Sequence, residues 1–354
     1  MRSGFPWSTV NYENFEGGDL LSPGSDVPTQ HARPTLEQLH EQLRLARAAG
    51  DPHREGVALN NLGGHFREKR DPRRAIEHLL GALETFTALK DTEKKAAVLN
   101  NLGGAHRDNA QYNKASEYFA LALGTYASIN HGLGQGMAVN NLGGVNMAQK
   151  KYEEARNQFS LAYSLFHSAL APESEAQALE NLAAAEAALG KKGAALESYG
   201  RALEIWQMLE QDDRQAMILN RIGAMHSSGG EVKRALELHR RAFSMAQKSQ
   251  DRSLAASTLA AMGRVHFESM DWKAARPMFD EAAALFENCG DRRNQALAIF
   301  SVAKIDMAEG QELLHQAADM FKEIGDTASE SAVLHFMETS VDSTQSDDAE
   351  QRPA

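Results

Sequence analysis

The chain of 354 residues carries a single cysteine, Cys289. One thiol excludes an intramolecular disulfide and a cysteine-built zinc site, and a reducing, cytoplasmic setting is expected. Positive charge is also short: 37 Lys and Arg stand against 48 Asp and Glu, a net charge of −11. Duplex nucleic acid is bound through a basic stripe that displaces counterions, so no nucleic-acid partner is expected. No run approaches the roughly 18 apolar residues of a membrane span. The opening MRSGFPWSTV has no apolar stretch of the kind a secretory signal needs, so a soluble chain without membrane insertion is expected. Catalytic signatures are missing too. There is no P-loop, no His-Glu-x-x-His and no nucleophile elbow. Gly132-Leu133-Gly134-Gln135-Gly136 has the look of a phosphate loop, but no strand precedes it. Neither an enzyme nor a cofactor is expected.

What the chain does have is a ruler. Asn-Asn-Leu-Gly-Gly stands at Asn60 to Gly64, at Asn100 to Gly104 and at Asn140 to Gly144, forty residues apart each time. Further steps of forty reach Asn181-Leu182-Ala183, Arg221-Ile222-Gly223, Ala261-Met262-Gly263 and Ser301-Val302-Ala303. Seven copies in register identify a repeat architecture, in which each unit adds its own slice of core.

Residues 1–34 show no helical period and are rich in Gly, Ser and Pro, the composition of a disordered tail. Phe5, Trp7, Tyr12 and Phe15 do not suit a plain linker, so a docking motif or a segment folded into the protein's own groove is the second reading. Thr35 then caps a short helix with Leu36, Leu39 and Leu43 on one face, and residues 35–50 form an N-terminal capping helix. From residue 51 the units start near 51, 91, 131, 171, 211, 251 and 291. Asp51, Asp91, Asp212, Asp251, Asp291 and Asp326 stand at or near helix N-caps, where a carboxylate accepts the orphan N–H groups of the first turn. Helix A carries the Leu-Gly pair or its counterpart at the same register. Each helix B carries Ala, a bulky residue four later, and Ala three after that: Ala75-Leu79-Ala82, Ala115-Phe119-Ala122, Ala155-Phe159-Ala162, Ala195-Tyr199-Ala202, Ala235-His239-Ala242 and Ala275-Phe279-Ala282. Spacings of four and three put all three on one face. The seventh unit is short by five residues, with helix A expected over 295–309 before Ala317-Ala318 and Phe321. A closing helix over 328–338 ends the repeat region at 51–338, and 339–354 are expected to be an acidic disordered tail.

Leu-Gly on helix A with Ala, an aromatic and Ala on helix B resembles the tetratricopeptide repeat. The forty-residue period, the His of Ala105-His106 and the Gly290-Asp291-Arg292 entry resemble the long-helix subclass of GoLoco-type spindle-orientation adaptors and, more distantly, kinesin light chain. The chain shows no GoLoco segment. The resemblance implies an all-α fold, an α-α superhelix of about seven helix-turn-helix repeats with capping helices. It also implies a concave groove lined by helix A. In that groove Asn61, Asn101, Asn141 and Asn181 fall where the family carries an asparagine ladder, with Asn60, Asn100 and Asn140 beside them. An amide offers one carbonyl and two N–H groups, so such a ladder can hold an extended chain by its backbone; alternatively the asparagines tie each helix A to its neighbours. The first glycine of each motif is read as a packing position. The second (Gly64, Gly104, Gly144) is either a bare floor for a ligand backbone or relief from crowding. Arg221, Arg264 and Lys304 then make the C-terminal half of the groove basic, suited to acidic side chains or a terminal carboxylate of the ligand. The family's two-carboxylate clamp is broken here, where Asn60, Gly64, Asn101, Met137 and Asn141 occupy its sites. His106, His226 and His266 share a repeat position and are read as structural.

The function expected from sequence is a non-catalytic scaffold or adaptor that binds an extended or disordered segment of a partner protein. The alternative is a regulatory or sensor module whose groove holds a small peptide or the chain's own N-terminal tail. Self-association through an imperfectly capped end is also open.

Overall fold

In the computed structural model the described residues are 34–306 and 310–350, with side chains described as far as 339. Residues 1–33, with the aromatics Phe5, Trp7, Tyr12 and Phe15, and residues 307–309 lie outside them. Among the described residues every element is a helix. The chain divides into two compact units, one ending at Ile205 and one beginning at Trp206.

The first unit contains α1 (Leu36–Ala48), α2 (Pro52–Glu68), α3 (Pro72–Ala88), α4 (Thr92–Asp108), α5 (Tyr112–Ser128), α6 (Gly132–Ala148), α7 (Tyr152–Ser168) and α8 (Pro172–Ala188), and it ends within α9 (Lys192–Met208). The forty-residue repeat is thus two twenty-residue modules, each a helix of 17 residues and a three-residue turn. The turn has one recipe. Its middle residue is left-handed, at Gly50, Arg70, Lys90, Ala110, Asn130, Lys150, Leu170 and Gly190. The next residue folds back: Asp71 N–H donates to the Phe66 carbonyl at 2.9 Å and Arg70 N–H to the Arg67 carbonyl at 2.9 Å. These are the two bonds of a Schellman closure, which satisfies orphan carbonyls at the helix end. The third residue stands at the N-cap of the next helix, where Gln111, Lys151 and Ala171 make no side-chain cap bond but the aspartates do. Asp51, Asp71 and Asp91 accept N–H groups of Arg54, Arg74 and Lys94 at 3.0, 3.1 and 3.0 Å. In α6 the cap is instead His131, whose Nδ1 accepts from Gly134 at 2.9 Å. Turns this short force successive helices to be antiparallel.

Packing follows the expected face. Ala75, Leu79, Ala82 and Phe86, then Ala115, Phe119, Ala122 and Tyr126, then Ala155, Phe159, Ala162 and Phe166 are all at most 1 % exposed. The fourth member of each set lies four residues past the second alanine and completes the face. The first glycine of each motif is where helix B docks. A Cβ on Gly63 would sit 2.5 Å from Leu79 Cγ, one on Gly103 2.6 Å from Phe119, and one on Gly143 2.5 Å from Phe159. The fourth position uses glycine in the same way: a Cβ on Gly134 would sit 2.4 Å from Tyr126, and one on Gly136 2.7 Å from Phe166. These glycines of the apparent phosphate loop are therefore helix-packing positions near the start of α6.

The second unit completes α9 and adds α10 (Asp212–Ser228), α11 (Val232–Lys248), α12 (Arg252–Glu268), α13 (Trp272–Cys289), α14 (Arg292–Ala303), α15 (Gly310–Glu323) and α16 (Thr327–Glu350). Gly223 meets His239 and Gly263 meets Phe279 as the sequence pattern requires. The seventh repeat departs from expectation. Helix A runs from Arg292 to Ala303, not 295–309, and a Cβ on Gly310 would lie 2.9 Å from the Ala303 carbonyl oxygen. The backbone of α15 presses against the end of α14, and that close approach replaces the missing residues. The closing helix also differs: α16 runs to Glu350 rather than 338. No Gly or Pro interrupts 327–350, so no backbone breaker stops the helix where the acidic composition begins. Only 351–354 of the expected tail lie outside the described residues.

Candidate functional site

The sequence places its candidate residues on helix A, and within the first unit the structure joins six of the seven asparagines in pairs, with Asn61 exposed. Asn101 donates its amide N–H to Asn60 Oδ1 at 2.8 Å. Asn141 donates to Asn100 Oδ1 at 3.0 Å, and Asn181 to Asn140 Oδ1 at 2.9 Å. Each rung links the first asparagine of one repeat to the second asparagine of the next, forty-one residues on. The rungs become drier along the chain. Asn60 and Asn101 are both half-buried, whereas Asn140 and Asn181 are 6 % and 7 % exposed. A buried amide left without its partner costs about 1–3 kcal/mol, so the rungs lock repeat to repeat. Each bond uses one N–H of the donor. By its chemistry the amide of Asn101 or Asn141 keeps a second N–H and a carbonyl oxygen, and both residues are half-buried rather than sealed.

The second glycines are not equivalent. Gly64 has nothing within 4 Å of where a Cβ would stand. Gly104 is a seat: a Cβ there would meet the Arg67 guanidinium at 2.7–2.8 Å. Arg67, laid across Gly104, also pairs through Nε with Asp108 Oδ2 at 2.9 Å, another contact between adjacent repeats. Arg107 reaches the other oxygen of Asp108 at 3.5 Å. Gly144 is buried.

The basic residues belong to the second unit. Arg221 is exposed, and Arg264 lies half-buried with Nε 4.0 Å from Glu268. Lys304 turns its ammonium onto an aromatic face, 4.0 Å from the Phe300 ring centre and 5.9 Å from that of Phe336. Burial pushes its pKa down to about 8. The same unit contains His239, fully buried where other repeats carry an aromatic ring or Leu. Its Nδ1 bonds Asn220 Oδ1 at 2.9 Å, and Asn220 donates to Thr258 Oγ1 at 2.6 Å. Its Nε2 is buried without a hydrogen-bond partner. Burial first, and then the charge of Arg264, lower the His239 pKa to about 4, so the ring is neutral near pH 7.

The three histidines of one repeat position have one structural job. His106, His226 and His266 each turn Nδ1 to the residue five later, Gln111, Glu231 and Asp271, at 2.6, 2.9 and 3.1 Å. Each pins the end of helix A to the start of helix B. Among the described residues no group of three or more His, Cys, Asp or Glu side chains could hold a metal, and no helix is long and apolar enough to cross a membrane.

A groove that the sequence pattern does not mark lies elsewhere on the first unit. It has a volume of about 560 Å³ and is lined by Phe86, Lys90, Thr92, Lys95, Leu121 and Gly124, among others. Its only sequence signal is a leucine on the polar side of α5, 56 % exposed.

Comparison with known proteins agrees with this architecture. Tetratricopeptide repeats match residues 54–128, 135–208 and 214–288, together more than half of the chain. No curated protein sequence matches. Among solved structures, aspartyl phosphate phosphatase F from Bacillus subtilis overlays with a TM-score of 0.60 at 17 % identity, covering 86 % of this chain and 75 % of that one. A Rap protein complexed with Competence and Sporulation Factor overlays with a TM-score of 0.53 at 16 % identity, covering 88 % and 81 %. Kinesin light chain TPR-like repeats from Podosopora anserina give 0.49 at 18 %, covering 56 % and 98 %. At these identities the first two speak for the fold alone, and the finer likeness to GoLoco-type adaptors gains nothing from any of the three. The repeated Leu-Gly and Ala-aromatic-Ala faces, the helix pairs they build and the family match converge: this chain belongs to the tetratricopeptide repeat family.

Proposed function

We propose that the chain is a non-catalytic interaction module that holds an extended segment of a partner protein along the helix-A face of α2, α4 and α6. The observation that carries this reading is the pairing of two features on one face. Asn101 and Asn141 are fixed in place by inter-repeat bonds yet keep amide groups to spare, and Gly64 leaves open space where any other residue would place a side chain. Amides held by a rigid scaffold are preorganised to pair with a peptide backbone, which lowers the ordering cost of binding. In the second unit, considered by itself, Arg221 and Arg264 suit acidic side chains of a partner, while the Lys304 ammonium is packed on the Phe300 ring. That a Rap protein of this fold is known in complex with Competence and Sporulation Factor supports a ligand-holding role.

Gly64→Leu provides the test, because a Cβ at that position meets nothing within 4 Å and the side chain grows from there into the open face. Affinity capture with mass spectrometry should lose a defined set of partners with Gly64→Leu and with Asn101→Ala plus Asn141→Ala. Leu121→Asp, on the other side of the unit, should retain them. An unchanged partner set with Gly64→Leu, in a protein of intact helical circular dichroism, would overturn the assignment.

A further inference from the structure

The groove between α3, α4 and α5 lies away from the helix-A face. At about 100° per residue, Thr92 and Lys95 sit roughly 180° and 120° around α4 from Asn101. The groove has an apolar floor and a basic rim. Ala120, Leu121 and Gly124 of α5 form one wall, with space above Gly124 where nothing lies within 4 Å of a Cβ. Lys90 and Lys95 stand on the other side, and among the described residues neither makes an ion pair.

We propose that this groove is the docking site for the chain's own N-terminal segment, around Phe5 to Leu20. Three arguments select that occupant. The first is charge: between Phe5 and Val27 stand Glu13, Glu16, Asp19 and Asp26, with no Lys or Arg. The second is apolar content: Phe5, Trp7, Tyr12 and Phe15 supply the aromatic rings that an open groove beside Leu121 accommodates. The third is reach. Antiparallel neighbours make α1, α3 and α5 run the same way, so the groove, at the C-terminal ends of α3 and α5, is one helix length from the start of α1. That is about 25 Å along a 17-residue helix and roughly 20 Å across two helix spacings. The residues between Phe15 and Pro34 extend to about 60 Å, more than enough. Docking there leaves the helix-A face open, so the tail and a partner occupy different surfaces.

Hydrogen exchange followed by mass spectrometry on the full chain tests this, with the helices of the same molecule as the internal control for folding. Amides in residues 5–20 are expected to exchange at least tenfold more slowly than in an unstructured peptide of the same sequence. Leu121→Asp, and separately Lys90→Glu plus Lys95→Glu, should abolish that protection while helix exchange stays unchanged. Gly64→Leu should leave it intact. Three results would overturn the proposal: an unprotected segment in the wild-type chain, protection that survives both groove variants, or protection lost on Gly64→Leu, which would put the segment on the helix-A face.

Discussion

The two adjacent glycines of the repeat motif should respond in opposite directions to the same substitution. Gly63→Ala places a Cβ 2.5 Å from Leu79 Cγ and 2.6 Å from its Cδ2, against a side chain with no exposed surface. Leu79 has nowhere to retreat, since it lies in a core with Leu62, Phe66 and Ala75. Overpacking of this kind costs typically 1–3 kcal/mol, and the better helix propensity of alanine returns only about 1 kcal/mol. Gly63→Ala should therefore be destabilising by up to about 2 kcal/mol. Gly64→Ala meets nothing within 4 Å, so only the propensity term acts and the protein should gain up to about 1 kcal/mol. Urea titration followed by circular dichroism at 222 nm measures both, with the two midpoints bracketing wild type. Because repeat proteins can unfold in stages, the transition assigned to the first unit is the one to compare. If Gly64→Ala lowers the midpoint, or Gly63→Ala leaves it unmoved, the division of the motif into a packing glycine and an open glycine is wrong.

Other outcomes follow from single contacts. Asn140→Ala removes the acceptor of the most buried rung and strands the Asn181 amide, which should cost about 1–3 kcal/mol; a double-mutant cycle with Asn181→Ala should show positive coupling in urea melts. His239 titrates near 4 when folded and near the ordinary 6.5 when unfolded, so the unfolded chain binds more protons between those values. Stability should be full above about pH 6.5, fall as pH drops toward 4 by an order of 3 kcal/mol, and level off below. Melts of the second unit across that range should lose much of this slope in His239→Phe. Leu170 is left-handed at φ 53° and 88 % exposed, so Leu170→Gly relieves backbone strain at little packing cost and should raise stability by about 0.5–1 kcal/mol in thermal melts.

Much of this molecule is legible in one dimension because a repeat states its rule several times over. The Ala-x-x-x-Phe-x-x-Ala spacing of α5 and α7 was enough to find the buried face, and the aspartates at residues 51, 91, 251 and 291 marked helix starts that the structure keeps. Local capping chemistry and a helical period require no knowledge of the neighbours. The shortened seventh repeat was visible as a deletion, but where α14 ends was not, since Ala303 is set by the backbone of α15 arriving against it.

The candidate site divides along the same line. Sequence alone determined that Asn60-Asn61, Asn100-Asn101 and Asn140-Asn141 recur in register on helix A, because periodicity fixes which residues share a face. It did not determine what those amides touch. That the second asparagine of one repeat donates to the first of the repeat before it, that Gly104 seats Arg67 while Gly64 seats nothing, and that Lys304 turns from the basic set onto Phe300 are all relations between helices. Such relations depend on the distance and rotation between stacked repeats, which come from side chains packing across the repeat boundary, as Tyr126 of α5 does over Gly134 of α6, and not from any local period.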